Sequence, residues 1–363
     1  MYDFTKIEQY LDQLTALGLP GCQVHIKKGH ETLLRSRRGE GSFDSRYFLY
    51  SCSKVMTVTG LMRLVEQGKI SLEDKVADYI PAFRDVFIEK DGIPCPPETD
   101  MTLRHLFTMT AGLDYDLQAP GILEAAGKEN AGTFDIVSAF PKKALSFSPG
   151  DKFQYSLCHD VLGAVAEKVT GLTFGDYMEK EVFGPLGMKN TSFTPGGEMA
   201  PQYDFDWDTR AFRPHPLTCD YRLAPHYHSG GAGIISTLDD MARFAAALTT
   251  GKGEDGYPLL SGTSICLLRT EQLTHVAKDP AFGCAMGPGY GYGLGMRTLV
   301  DKSQGQKSPI GEFGWDGAAG SFILCDKENG LSIVFTTHVL GWYGIKDLFH
   351  APLRDGLYDA LGL

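Results

Sequence analysis

Ser51 and Lys54 stand three residues apart and could together form a nucleophile and its base. A serine hydroxyl is a poor nucleophile at neutral pH and needs a proton acceptor within hydrogen-bonding distance. Residues three apart share one face of a helix, so the amine of Lys54 could point at the Ser51 hydroxyl if this segment is helical. A lysine serves as a base only where burial or a neighbouring charge lowers its pKa. The spacing therefore predicts an activated serine.

The residues around this pair predict a helix that begins near Ser51. Apolar side chains recur at three- and four-residue steps until Gly68, namely Val55, Val58, Leu61, Leu64 and Val65. Free backbone N–H groups at the first turn of a helix favour developing negative charge. An isolated S-x-x-K pattern is also typical of a helix cap followed by a solvated lysine, so the interpretation depends on other segments.

A second candidate is Tyr155, which precedes another helical pattern that ends at Gly171. A tyrosine in this position usually packs with its hydroxyl hydrogen-bonded. If its phenol lies near the Lys54 ammonium, the tyrosinate form is favoured, and Tyr155 could relay the proton of Ser51 to a leaving group. His159 and Asp160 follow at the start of this helix, where we expect them to cap it or to face solvent.

A third candidate is the glycine-rich stretch 314–321, which contains Trp315 and Gly317 and precedes a predicted strand. Glycine allows the backbone to approach a ligand closely, and an N–H group on an edge strand can point at a carbonyl oxygen. The alternative is a glycine-rich turn into a β-hairpin.

Together the three segments resemble the serine β-lactamase and penicillin-binding-protein superfamily, nearest the class C β-lactamases and the family VIII carboxylesterases. The resemblance is carried by S-x-x-K at 51–54, Y-S-x at 155–157 and G-W-x-G at 314–317, in this order. Residues 104–113 are similar to the family's R-x-L-L-x-H-T-S-G-L, and residues 230–237 to its G-G-G-L-x-S-T. The resemblance spans about residues 20 to 340.

This resemblance implies a role for each candidate. Ser51 would be the acylated nucleophile, and Lys54 and Tyr155 would share general acid and base catalysis, with the choice of base left open. Residues 315–317 fill the place of the family's K-T-G motif. The oxyanion hole would then be formed by the backbone N–H groups of Ser51 and Ala318.

Two departures from the family pattern bear on the substrate. Leu157 stands where β-lactamases and penicillin-binding proteins usually carry an asparagine that donates to the substrate amide, and leucine cannot donate. Trp315 stands where they carry lysine or histidine, whose cation would attract a substrate carboxylate. Carboxylesterases of the superfamily often have such a tryptophan. The resemblance therefore favours ester hydrolysis, with Trp315, Gly317 and Leu157 contacting the substrate.

The leading hypothesis is thus a serine hydrolase that forms an acyl-enzyme on Ser51, a carboxylesterase for small acyl esters. Alternatives within the same fold are a D-amino-acid peptidase or amidase, a β-lactamase, and a transacylase that passes the acyl group to an acceptor other than water. A non-catalytic sensor of acyl groups or peptidoglycan fragments is a further alternative, against which the presence of all three candidate residues argues. No cofactor is expected. His226 and His228 could share one side of a strand, but we expect no metal site because a third ligand is missing nearby.

The composition limits the possible partners. The 363 residues carry a net charge of -11 and a sequence pI near 5.4, which argues against a nucleic-acid or anionic-membrane surface. The N-terminal residues lack the pattern of a signal peptide, and no run of about 18 apolar residues occurs. Eight cysteines without a C-x-x-C pair are typical of free thiols in a reducing compartment. We expect a cytoplasmic enzyme for a small-molecule ester or amide, and the sequence leaves its oligomeric state open.

The elements that must position the candidates predict a sheet divided by a helical insertion. Strands are expected on both sides of residues 28–31, and again at 321–324 and 331–335. Helices are expected to open near Thr237 and near Ile345. With the resemblance, this predicts an α/β, β-lactamase-like fold: an antiparallel sheet flanked by helices, with an inserted all-helical subdomain. Residues 1–68 and 226–363 would form the discontinuous α/β subdomain and residues 69–225 the helical one, with the active site between them.

Overall fold

The computed structural model describes residues 2–276, 282–283, 286–342 and 349–363. Its α-helices are α1 (Thr5–Ala16), α2 (Ser53–Glu66), α3 (Val76–Tyr79), α4 (Leu103–Phe107), α5 (Pro120–Ala126), α6 (Thr133–Val137), α7 (Cys158–Thr170), α8 (Phe174–Met178), α9 (Leu238–Thr250), α10 (Gly262–Arg269) and α11 (Ala351–Leu361). Short 3-10 turns occupy Tyr50–Cys52, Pro81–Asp85 and Phe140–Lys142, and a π-helical turn occupies Glu179–Phe183.

The strands form one large sheet and three small ones. They are β1 (Gly21–Lys28), β2 (Glu31–Gly39), β3 (Tyr47–Phe48), β4 (Ile88–Lys90), β5 (Ile93–Cys95), β6 (Gln202–Asp206), β7 (Ala211–His215), β8 (Ile235–Ser236), β9 (Tyr290–Tyr292), β10 (Arg297–Leu299), β11 (Phe313–Asp316), β12 (Phe322–Asp326), β13 (Leu331–Thr336) and β14 (Val339–Leu340). The large sheet has the order β2-β1-β13-β12-β11-β10-β9, and every neighbouring pair is antiparallel. The N-terminal hairpin therefore pairs through β1 with β13, a strand that lies some 300 residues later in the chain, with Gln23 opposite Thr336 for example.

Helices cover both faces of this sheet. On one face α1 and α11 bury Ile7, Leu11, Leu353 and Leu357 against alternate apolar residues of the strands. On the other face α9 packs against β1, β12 and β13, and α2 packs against both β11 and α7. The antiparallel sheet flanked by helices, predicted from the sequence and its resemblance, is confirmed.

Several predicted elements form for the reasons that the sequence indicates. Helix α9 begins where the Thr237 hydroxyl accepts a hydrogen bond from the backbone N–H of Asp240, and it ends at Gly251, which adopts a left-handed φ of 86°. Helix α7 likewise ends at Gly171, with a φ of 71°. The strands expected beside residues 28–31 and at 321–324 and 331–335 are all present. The expected start of the last helix, Ile345, lies outside the described residues.

The segment 69–225 is mainly helical, but it also contains the two hairpins β4–β5 and β6–β7. The second hairpin pairs in parallel with β14, so it is held by the C-terminal part of the chain. Its strands were not expected, because their residues are only partly buried and lack a clear alternation of apolar and polar side chains. The division at residues 68 and 226 stays a prediction. None of the helices in the described part of the chain is both long and apolar enough to span a bilayer.

Candidate active site

Ser51 lies in a tight 3-10 turn directly before α2, not within the helix itself. The preceding residue, Tyr50, has a left-handed φ of 46°, which is unusual for a residue with a side chain and marks a strained turn. The turn is anchored on both sides. The backbone N–H of Leu49 donates to the carbonyl of Ile234 at 3.0 Å, and the backbone N–H of Ile234 donates to the Ser53 hydroxyl at 3.0 Å. Ser51 is thereby left half-buried, while the residues after it are buried.

The amine of Lys54 has three close partners. Its Nζ lies 3.2 Å from Oγ of Ser51, 2.9 Å from the hydroxyl of Tyr115 and 2.7 Å from the carbonyl oxygen of Gly231. The side chain is 0% exposed. Burial lowers the pKa of Lys54 to about 7, against the opposing influence of the Asp160 carboxylate, so the neutral amine is accessible near neutral pH. A neutral amine can donate to Tyr115 and Gly231 and accept the proton of Ser51.

Asp160 is the buried charge that faces this amine across Gly231. A Cβ atom built on Gly231 would lie 2.7 Å from Oδ2 of Asp160 and 3.4 Å from Nζ of Lys54, so both groups border this glycine. The Oδ1 atom of Asp160 accepts hydrogen bonds from the hydroxyls of Tyr227 at 2.7 Å and Ser229 at 2.6 Å. Burial raises the pKa of Asp160, and these two hydrogen bonds oppose that effect. The expectation that Asp160 caps a helix or faces solvent is wrong, as it is for His159, which is fully buried beside it.

Tyr155 packs against the same lysine with its ring. The Lys54 amine lies 4.6 Å from the ring centroid, and the Tyr155 hydroxyl accepts a hydrogen bond from the indole N–H of Trp315 at 3.1 Å. Burial raises the pKa of Tyr155, which outweighs the stabilisation of the phenolate by hydrogen bonds from Ser51 and Trp315. The phenol is therefore protonated at neutral pH. The tyrosinate form considered from the sequence is not favoured, because desolvation outweighs the interactions that would stabilise it.

Aromatic rings form the wall around these groups. The Tyr155 ring stacks between Tyr115, at a centroid distance of 5.6 Å, and Trp315, at 5.7 Å. Tyr221 then meets Tyr115 edge to face at 5.6 Å and Tyr50 at 6.1 Å. Such a wall offers flat apolar faces and hydroxyl groups to a substrate.

The predicted oxyanion segment lies against the nucleophile turn. A Cβ atom on Gly317 would come within 2.2 Å of the Leu49 carbonyl oxygen, so only glycine permits this approach. The segment turns sharply, because the backbone N–H of Gly317 donates to the carbonyl of Ser321 at 2.7 Å. Ala318 is exposed in this turn, and its backbone N–H has no acceptor among the described residues. Its assignment with Ser51 as an oxyanion donor stays a prediction.

Trp315 is also in a different local structure from the one expected. It lies within β11, rather than in a turn before a strand, and β11 is an interior strand of the sheet. However, among the described residues β10 pairs with Phe313 and Gly314 and does not extend to Trp315. The role of the edge beside Trp315 in substrate binding stays a prediction.

One of the predicted site residues lies apart from this cluster. Leu157 is 3% exposed and lines a small cavity with Leu113, Ile122 and Phe140, which does not include Ser51 or Lys54. Its role in substrate binding stays a prediction.

His228 accepts a hydrogen bond from the backbone N–H of Gly175 at 3.0 Å and packs against Phe193. Within the described ranges, no three His, Cys, Asp or Glu side chains are grouped so that they could hold a metal ion. In the described structure His228 thus contacts the first turn of α8 and the ring of Phe193.

Tyr115, Asp160 and the carbonyl of Gly231 were not identified from the sequence. The signals available were indirect: Tyr115 follows the segment 104–113 by two residues, and Gly231 lies within the segment 230–237. Both segments matched family patterns, but a pattern match does not indicate which atom faces a lysine 61 or 177 residues away.

Comparisons with known proteins identify the family of the chain. The chain matches the family model described as Beta-lactamase over residues 7–349. It is 30% identical to Esterase EstB of Burkholderia gladioli over 346 residues, which cover 87% of this chain and 82% of the esterase. It is 22% identical to a putative D-alanyl-D-alanine carboxypeptidase of Escherichia coli over 384 residues, or 96% of this chain and 83% of that protein. The solved structure of EstCE1, a hydrolase with promiscuous acyltransferase activity, has a TM-score of 0.81 and 26% identity, with 98% of each chain covered.

Proposed function

Because this chain belongs to the beta-lactamase family and is a serine hydrolase, we propose that it hydrolyses small, uncharged carboxylic esters through an acyl-enzyme on Ser51. One observation carries the proposal: a buried lysine amine lies 3.2 Å from the Ser51 hydroxyl, inside an aromatic wall whose indole donates to Tyr155. The esterase relatives support ester chemistry over amide chemistry.

Acylation would begin with neutral Lys54. Its amine takes the proton of Ser51 as Oγ bonds to the ester carbonyl carbon, and the backbone N–H groups of Ser51 and Ala318 would hold the oxyanion. Tyr155, protonated because burial raises its pKa, would donate its proton to the alkoxide as the carbon–oxygen bond breaks.

Deacylation would return both protons. The phenolate of Tyr155 would accept a proton from the attacking water, and the ammonium of Lys54 would return its proton to Oγ of Ser51 as the acid leaves. Lys54 is therefore assigned as the base in acylation and Tyr155 as the acid, the choice that the sequence left open.

Acyl transfer to an alcohol is a second candidate. One relative of known structure is described as a hydrolase with promiscuous acyltransferase activity, and the half-exposed ring of Tyr221 in this chain offers an apolar surface for an acceptor. The same acyl-enzyme would serve, with an alcohol in place of water.

The proposal is tested by steady-state rates on p-nitrophenyl butyrate and nitrocefin, combined with the intact mass of the protein during turnover. Fast ester hydrolysis with slow or absent nitrocefin hydrolysis is expected. Efficient nitrocefin hydrolysis would favour a β-lactamase instead. A stable adduct without turnover of either compound would favour a sensor or a narrow peptidase, and product formation that rises with added alcohol would identify acyl transfer.

A further inference from the structure

The strand that carries Trp315 also carries a charge that the mechanism does not use. Asp316 follows Trp315 on β11, and both of its carboxylate oxygens accept hydrogen bonds from the guanidinium of Arg297 on β10. The bond from Nη2 to Oδ1 measures 2.7 Å. The Arg297 side chain is 1% exposed and the Asp316 side chain 13%. Asp316 thus extends from a buried cation towards the surface, directly before Gly317 of the predicted oxyanion turn.

Asp316 is the direct counter-ion of Arg297 in the described part of the chain. The other acid close to this guanidinium, Glu312, is already held, because its Oε2 accepts hydrogen bonds from Tyr290 at 2.6 Å and Ser308 at 2.9 Å. The Tyr290 ring covers the guanidinium with a distance of 5.4 Å from Cζ to the ring centroid. Loss of the Asp316 carboxylate would therefore leave a cation with two unpaired N–H groups beside the site.

Arginine recognises carboxylate ligands with the same geometry, in which two parallel N–H groups donate to one carboxylate. Here the chain supplies that carboxylate itself. The lysine amine in the same region is directed at Ser51, Tyr115 and Gly231. Among the described residues, the guanidinium beside residues 315–318 is thus already paired, and a substrate carboxylate that approached this segment would face the carboxylate of Asp316.

We propose that Asp316 is a specificity-determining residue: by occupying Arg297 it makes the site select uncharged esters and exclude substrates that carry a carboxylate. This inference rests on the proposed ester hydrolysis. The inference assigns the exclusion of anionic substrates to the Asp316 side chain, in addition to Trp315, which stands where the family pattern has a cation. It also implies that one substitution would create a site for anions.

The test compares matched neutral and anionic esters with the full-length enzyme. One pair differs in the alcohol, methyl 4-acetoxybenzoate against 4-acetoxybenzoate, and one in the acyl group, p-nitrophenyl 4-methylbenzoate against the mono-p-nitrophenyl ester of terephthalic acid. For wild type we expect kcat/KM to favour the neutral member of each pair. In Asp316→Asn the ratio of neutral to anionic kcat/KM should fall at least about tenfold for one pair, because the positive charge of Arg297 is no longer neutralised and can attract the substrate carboxylate.

Two further variants isolate the cause. Asp301→Asn removes the same charge from an exposed residue whose carboxylate accepts hydrogen bonds from Ser303, and it should leave both ratios at the wild-type value. The double variant Arg297→Gln with Asp316→Asn removes the partners together, so it avoids an unpaired buried cation if the single variant fails to fold. Its ratio should fall less than in Asp316→Asn but remain below wild type.

The outcomes separate this inference from the proposed function. Unchanged ratios for both pairs in the double variant, or an equal fall in Asp301→Asn, would overturn the role of Asp316 while ester hydrolysis stands. A wild-type enzyme that turns over neither member of either pair would overturn the ester hydrolysis and this inference with it.

Discussion

The Nζ atom of Lys54 lies 3.2 Å from Oγ of Ser51, with the remaining polar contacts of that amine made to Tyr115 and Gly231. This relationship defines which atom can accept the serine proton. In the ammonium form, the three N–H groups of Lys54 can donate to all three neighbours. In the neutral form, two N–H groups donate to two neighbours, and the nitrogen lone pair can accept a hydrogen bond from the third. The same geometry thus suits both protonation states that a general base must pass through.

Ser51→Ala is expected to reduce ester turnover by at least about 10⁴-fold, because the covalent route is lost. The fold should be retained, since Ser51 is half-buried and its turn is anchored by Leu49 and Ser53. Steady-state kinetics and thermal denaturation check the two statements.

Ser53→Ala is an informative comparison, because it removes the hydroxyl that anchors the turn: it should lower stability while leaving the nucleophile in place. Substantial activity in Ser51→Ala would disprove the nucleophile assignment.

The pH dependence of kcat/KM should show an acid limb with a midpoint near pH 7, because Lys54 must be neutral to act as the base and its pKa is about 7. Asp160→Asn should move this limb to lower pH. The carboxylate of Asp160 raises the pKa of Lys54, so its removal lowers that pKa and leaves the amine neutral in more acidic solution. The expected displacement is about one pH unit.

The control for this displacement is Asp176→Asn, which removes the same charge from an exposed side chain that bonds Thr173. Its acid limb should coincide with that of wild type. Asp160→Asn keeps an oxygen for the hydroxyls of Tyr227 and Ser229, so a lower rate alone would not support the electrostatic role. A limb that stays in place, or moves to higher pH, would contradict it.

The sequence predicted the parts of the site that depend on local spacing or on a family motif. The i and i+3 relationship of Ser51 and Lys54 required only a helical turn, and the sheet strands followed from apolar runs bounded by glycine. The contacts of Tyr115, Gly231 and Asp160 with the lysine region depend on how distant segments pack, and no local periodicity carries that information. Asp160 shows the difficulty well. At a helix start an aspartate usually caps, yet here its partners Tyr227 and Ser229 come from a loop nearly 70 residues later.

Tyr155→Phe is expected to reduce kcat by about 10² to 10⁴-fold, because the proton donor for the leaving group is lost while the ring and its stacking on Trp315 remain. Thermal stability should change little, since the side-chain bonds lost are those from the Trp315 indole and the half-buried Ser51. The measurement is kcat for esters with leaving groups of different pKa. The loss should be greatest for poor leaving groups, which need protonation most.

Tyr221→Phe, in the same aromatic cluster, should retain most of the activity, and an equal loss there would argue against a specific acid role for Tyr155.

Gly231→Ala tests whether the position of the Lys54 amine matters as much as its pKa. The added Cβ atom would lie 2.7 Å from Oδ2 of Asp160, 3.3 Å from the Tyr115 hydroxyl and 3.4 Å from Nζ of Lys54, so the three groups must move apart. A displacement on the order of 1 Å costs about 10²-fold in rate where reacting atoms must be aligned. Gly262→Ala is the matched control, because a Cβ atom there meets no neighbour within 4 Å. We expect kcat to fall about 10²-fold in Gly231→Ala and to stay at the wild-type value in Gly262→Ala. Full activity in Gly231→Ala would show that Lys54 tolerates displacement, and the alignment of its amine with Ser51 would then no longer account for the rate.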